Sequence, residues 1–132
     1  MARDLDQEAR NKALVLEAFD ALFNRRDFAA AEKYFSPTYI QHSAGIAPGR
    51  EGLFSLVRGL TRRYESALVV AEGDYVMVHG RYQGAGRPTR VVVDILRIAG
   101  GRLAEHWDVI QDEATKAESR SGLPMFGERF PQ

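Results

Sequence analysis

Residues 91–111 read VVVDILRIAGGRLAEHWDVIQ. Two apolar, largely β-branched runs flank Gly100-Gly101, and paired glycines accept the positive φ angles of a two-residue hairpin turn. The stretch is therefore an antiparallel hairpin. A regular turn sets Ala99 opposite Arg102, and the pairing runs outward one residue at a time. Leu96 then faces Glu105, Asp94 faces Trp107 and Val92 faces Val109, all on one side of the ribbon. The other side carries Val93 with Asp108, Ile95 with His106 and Arg97 with Ala104. This register predicts a pocket wall in which Val92, Leu96 and Trp107 surround one carboxylate, Asp94. Gln111 falls on the same face, at its end. His106 is expected on the outer surface or at a subunit contact.

Working outward, alternating apolar patterns predict strands at 67–72, 75–83, 89–99 and 102–111. Gly73-Asp74 signals a tight turn, and 84–88 a looser connection. The first half of the chain is different. Val15, Phe19, Leu22 and Phe23 recur at helical spacing within a helix over 4–24. A short helix over 28–35 follows, with Asp27 as its N-cap. A third runs over 50–63 with Leu53, Leu56, Val57 and Leu60 on one face. Tyr39 to His42 reads as extended, and 43–49 as a loop. Helices followed by a run of strands specify an α+β domain with its helices on one face of the sheet. A curved antiparallel or mixed sheet closed by three N-terminal helices makes a cone with an internal cavity. The 132 residues form one domain, with 113–132 as an extended tail.

Eighteen basic residues balance eighteen acidic ones, which argues against a nucleic-acid track. There is no cysteine, so thiolate catalysis and cysteine-ligated metals are excluded. No stretch has the length of a membrane span or signal peptide, and a cytoplasmic location is expected.

A carboxylate buried among hydrophobes is costly unless it protonates or finds a partner, so the pKa of Asp94 is expected to rise. A carboxylic acid kept neutral can donate a hydrogen bond to a reacting oxygen. The plainer alternative is a structural hydrogen bond that holds the sheet together. Two histidines are candidate bases. His42 precedes a glycine-rich loop. His79 faces Asp94 or points away, according to whether the 84–88 connection contains a bulge. No local pair such as H-x-H exists, so no metal is expected. Nucleophile elbows, P-loops and dinucleotide fingerprints are absent, and no cofactor is implied.

The succession NKALVLEAFDALFNRRD, YFSPTYIQHSAGIAPGREGL, AEGDYVMVHGRY and VVVDILRIAGGRLAEHWDVIQ resembles the SnoaL-like polyketide cyclases of the nuclear transport factor 2-like superfamily. The pairing of YIQH with EHWDVIQ carries most of the resemblance. It implies a cone closed by three helices, a pocket inside it and a homodimer. It also implies a site in which Asp94 matches the oxyanion-stabilising acid of ketosteroid isomerases and His42 lies near their base. Gln111 stands where related epoxide hydrolases carry an acid. Ile40, in YIQH, joins Val92, Leu96, Trp107 and Gln111 as an expected substrate contact. The expected function is cofactor-free acid–base chemistry on a carbonyl compound, an aldol-type cyclisation or an isomerisation. The competing readings are a non-catalytic binding module for an apolar small molecule and an accessory protein with a vestigial pocket. The expected dimer interface is the outer sheet face, with Val91, Val93 and Ile95.

Overall fold

The computed structural model describes residues 2–132. Helix α1 spans Leu5–Phe19, α2 Phe28–Tyr34 and α3 Gly49–Gly59. Five strands form one sheet: β1 Phe35–Gln41, β2 Arg63–Glu72, β3 Tyr75–Gly84, β4 Arg87–Ala99 and β5 Arg102–Asp112. Their spatial order is β1-β5-β4-β3-β2, with β1 parallel to β5 and every other pair antiparallel. The sheet is mixed, curved and open, and the helices cover its concave face. The expected α+β cone is observed.

Local chemistry explains the helices. The Asp4 side chain accepts from the Gln7 amide, and Asp6 and Glu8 lie in the first turn of α1, where negative charge meets the positive end of the helix dipole. After Phe19 the helix widens into one π-turn, Asp20–Asn24. Asn24 then behaves like a short strand: it accepts from the Tyr64 amide at 2.9 Å and donates to the Tyr64 carbonyl at 3.0 Å. That double bond ties the end of α1 to β2 and leaves Phe23 against Tyr64 and Tyr82. Asp27 caps α2 by accepting from Ala30, as expected. The core joins Val15, Phe19 and Leu22 from α1 and its π-turn to Phe54 and Val57 of α3, and to Val76, Val78, Leu96 and Leu103 of the sheet.

Several boundaries differ from expectation, and β1 begins at Phe35 and not at Tyr39. Helix α3 ends at Gly59, and β2 begins at Arg63, well before Ala67. Tyr64 pairs with Tyr82 on the concave face, and burying that ring extends the strand beyond its β-branched part. Gly80 is why the ring fits: a β-carbon there would lie 2.5 Å from Tyr64 Cε1.

The decisive difference is in the hairpin. Gly100 and Gly101 both have positive φ, 59° and 72°, and Ala99 faces Arg102 as expected. Arg97 then pairs with Glu105 while Ile98 pairs with Leu103, so Ala104 is an extra residue on β5. This bulge shifts all later pairs by one: Leu96 faces His106, Ile95 faces Trp107, Asp94 faces Asp108 and Val92 faces Ile110. Because side chains alternate, a one-residue shift moves each β5 side chain to the opposite face. His106 and Asp108 turn inward; Trp107 and Gln111 turn outward.

Candidate functional site

A cavity of about 400 Å³ opens on the concave face, within the range of about 300–1,000 Å³ usual for small-molecule sites. Its apolar walls include Phe19 and Phe23 from α1 and its π-turn, Ile46 from the loop, and Leu53, Leu56 and Val57 from α3. The polar groups come from the sheet: Tyr39, Tyr82, Asp94, His106 and Asp108, with Arg62, Arg87 and Arg90.

Asp94 lies at the centre of this polar group and is buried, at 2% exposure. Its Oδ1 is 2.6 Å from His106 Nε2, and the Tyr82 hydroxyl donates to its Oδ2 over 3.4 Å. On the far side, His106 Nδ1 is 2.6 Å from Gln41 Oε1. The same Gln41 oxygen accepts from the Ser43 backbone amide at 2.9 Å. An amide N–H can only donate, so the Gln41 atom facing it is an acceptor, and His106 must carry its proton on Nδ1. One proton is then shared between Nε2 and Asp94 Oδ1. The pair is either imidazole with carboxylic acid or imidazolium with carboxylate.

Electrostatics select where charge resides. Asp94 and Asp108 are direct cross-strand partners, and like charges in that position repel. Burial pushes the Asp94 carboxyl above its ordinary range, His106 partly opposes this, and the Asp108 charge adds to it. Asp108 is only half-buried. Two carboxyls on one wall thus sit in different environments, one buried and one half-exposed. Burial also raises the Tyr39 and Tyr82 hydroxyls well above the ordinary phenol, so both stay neutral donors. A raised carboxyl destabilises the fold on deprotonation: its contribution is fully present below about pH 3.9, the unfolded value, and is lost as pH rises through the folded value. Asp94→Asn is therefore expected to flatten the decline in stability above pH 4, measured by urea unfolding at a series of pH values against wild type.

One buried carboxylate and a histidine beside a second carboxylate also resemble a metal-binding set. The ligand atoms of Asp94, His106 and Asp108 lie within 4.8 Å of one another. The 2.6 Å separation of Nε2 and Oδ1 is shorter than two ligands sharing one ion, which bonds of about 2.0–2.2 Å hold roughly 3 Å apart. The spacing is that of a proton between two atoms.

The expected histidine bases are corrected. His42 is exposed on the convex side, 2.7 Å from Glu105 and stacked on Trp107 at 4.8 Å between ring centroids. His79 pairs with Val93, also on the convex side, and packs edge-on against Phe126. Trp107 and Gln111 leave the pocket wall because of the Ala104 bulge, and Ile40, opposite Glu105, is on the convex side and exposed. Val92 and Leu96 do face inward, but both are buried in the interior and do not line the cavity. Only Asp94 of the expected catalytic set lies in it. Sequence reasoning missed His106, Asp108, Gln41 and the two tyrosines. A signal was present: only the bulged register pairs Arg97 with Glu105, an ion pair of 2.9 Å, where the regular one buries Glu105 beside Asp94.

The SnoaL-like domain family matches residues 15–106, well over half of the chain. Among solved structures, AclR, a candidate hydroxylase from Streptomyces galilaeus, is 27% identical over 80% of this chain and 81% of its own, with a TM-score of 0.65. A candidate polyketide cyclase from Bacillus cereus ATCC 10987 is 16% identical, with a TM-score of 0.70 over 82% of this chain and 78% of its own. A candidate ketosteroid isomerase from Kribbella flavida DSM 17836 is 16% identical, with a TM-score of 0.72 over 94% and 97%. The last two likenesses concern the fold. No curated protein matches the chain, and no helix among the described residues is long and apolar enough to cross a membrane. The chain belongs to the SnoaL-like domain family.

Proposed function

We propose that the protein catalyses cofactor-free proton transfer on a small, largely apolar carbonyl compound, as an aldol-type cyclase or an isomerase. The observation that carries this reading is the direct pairing of Asp94 with Asp108 on the cavity wall, one bonded to His106 and buried, the other half-exposed. Asp108 removes the proton α to the carbonyl. The electron pair of that C–H bond forms the enol double bond, and the carbonyl oxygen takes the proton held between Asp94 and His106. The Tyr82 hydroxyl, beside Asp94 Oδ2, steadies the developing negative charge. His106 acts through Asp94, and Gln41 fixes its tautomer.

The test is α-proton exchange in D₂O across a panel of cyclic and aromatic ketones, followed by NMR. Enzyme-dependent exchange that disappears in both Asp94→Asn and Asp108→Asn supports the proposal. Ligands that bind without exchange support the binding-module reading instead.

We infer further that the chain works in the cytoplasm as a homodimer through the convex face of the sheet. Leu68, Val70, Met77, Val93 and Val109 form an exposed apolar set there, on strands β2 to β5, and such an area is normally covered. Val91, expected in that interface, is already buried within the chain. Met77→Lys with Val93→Lys is expected to give a folded monomer by sedimentation velocity where wild type is a dimer. A wild-type monomer at micromolar concentration contradicts the inference.

A further inference from the structure

The proton-transfer chemistry leaves one part of the cavity unused. Arg62, Arg87 and Arg90 line it together with Ile110 and Tyr82. Arg87 and Arg90 begin β4, while Arg62 immediately precedes β2, so they converge at the end of the sheet where β3 turns into β4. Their charges are poorly matched. Arg62 donates to the carbonyls of Tyr82 at 3.3 Å and Pro88 at 2.6 Å, and its buried Nε has no partner among the described residues. Arg87 is exposed and forms no ion pair among them. Arg90 Nε lies 3.0 Å from Asp112 Oδ1, an ion pair whose angle is too poor for a hydrogen bond. Burial and the two neighbouring guanidiniums depress the Arg62 pKa, with Asp112 opposing them only in part, as expected where like charges crowd together. The acidic and histidine side chains lining the cavity are Asp94, His106 and Asp108; Tyr39 and Tyr82 stay neutral, and Asp94 and His106 hold a proton between them. The cavity therefore has excess positive charge at one end and proton-transfer groups further along.

We propose that this cluster is an anion subsite, and that the substrate is an apolar carbonyl compound bearing a carboxylate or a phosphate. Arginine suits either group, because its planar fork matches two oxygens at once. Arg90, Val92 and Asp94 point to the same face of β4, and four residues of strand place the Arg90 and Asp94 backbones about 13 Å apart. The anion and the reacting carbonyl therefore belong at opposite ends of the molecule. The identity of the anion's binders does not depend on the proton-transfer reading; only the placement of the carbonyl rests on it.

The test uses three probes sharing one ring system: 6-acetyl-2-naphthoate, 6-acetyl-2-naphthyl phosphate and neutral 2-acetylnaphthalene, titrated by calorimetry. At least one anionic probe is expected to bind about tenfold more tightly than the neutral ketone, the scale of one charge-assisted hydrogen bond. Comparing the two anions identifies which group the site prefers. Arg87→Ala, at an exposed position, is expected to remove most of that preference and leave the neutral ketone within about twofold, since it contacts only the head group. Raised salt is expected to weaken the anions alone. Equal affinity for all three probes, an unchanged preference in Arg87→Ala, or binding of none overturns the proposal. Asp94→Asn should keep the anion preference, so a failure of the proton-transfer reading appears in the exchange assay and not here.

Discussion

Asp94→Asn lowers enzyme-dependent α-proton exchange by about 10²- to 10⁴-fold, the usual contribution of a positioned general acid. Asparagine keeps the shape of the side chain and can still donate a hydrogen bond to His106 Nε2. It cannot hold the transferable proton that lies between Asp94 Oδ1 and Nε2. Because the replacement removes a buried ionisable group from beside Asp108, the variant is expected to fold, and ligand affinity changes little. A loss confined to rate, with binding retained, separates a catalytic Asp94 from a structural one. A wild-type exchange rate in the variant ends the catalytic reading.

Glu113→Ala destabilises the protein by about 3 kcal/mol, the low end of the cost of removing one partner from a buried ion pair, because Glu65 still faces Arg81 at 3.2 Å. The Glu113 side chain is fully buried and that of Arg81 is 8% exposed. Their contact is bidentate, Nε to Oε1 at 2.7 Å and a terminal nitrogen to Oε2 at 2.5 Å. Arg81 also donates to the Arg129 carbonyl at 2.8 Å and lies over the Phe126 ring at 4.6 Å. It is the clasp that holds the tail against the convex side of β3. Losing Glu113 therefore leaves the buried Arg81 with only the part-exposed Glu65, 3.2 Å away, as its carboxylate partner, and frees residues 114–132 together. Chemical denaturation measures the first effect, and limited proteolysis of the tail measures the second. The exposed pair of Glu51 with Arg58 is the control: Glu51→Ala is expected to cost under about 1 kcal/mol.

The sequence made the α+β plan legible because helical and alternating periods occupy separate halves of the chain, and paired glycines mark the last turn. Asp94 was legible for the same reason: a lone carboxylate within VVVDILRI must be buried on one face or the other. What was not legible is the bulge at Ala104. Leu103 and Ala104 are consecutive and both buried, and a regular strand cannot point two neighbours to one side. That single residue exchanges Trp107 for His106 as the neighbour of Asp94 and brings Asp108 in with it. The tyrosines and Gln41 were hidden for a different reason. They reach the site from β1 and β3, and only the parallel pairing of β1 with β5 brings Gln41 opposite His106. The role of Arg81 and Glu113 was equally invisible, since 32 positions separate them in the chain.

His106, protonated on Nδ1 by its bond to Gln41, shares one proton with buried Asp94. A long-range proton–nitrogen correlation spectrum of ¹⁵N-labelled protein at neutral pH reads this from the ring nitrogens. His106, assigned by its loss in His106→Gln, is expected to show a protonated Nδ1 and an Nε2 signal that shifts in Asp94→Asn. A bare Nδ1 with the proton on Nε2 alone, or a spectrum indifferent to Asp94→Asn, contradicts it.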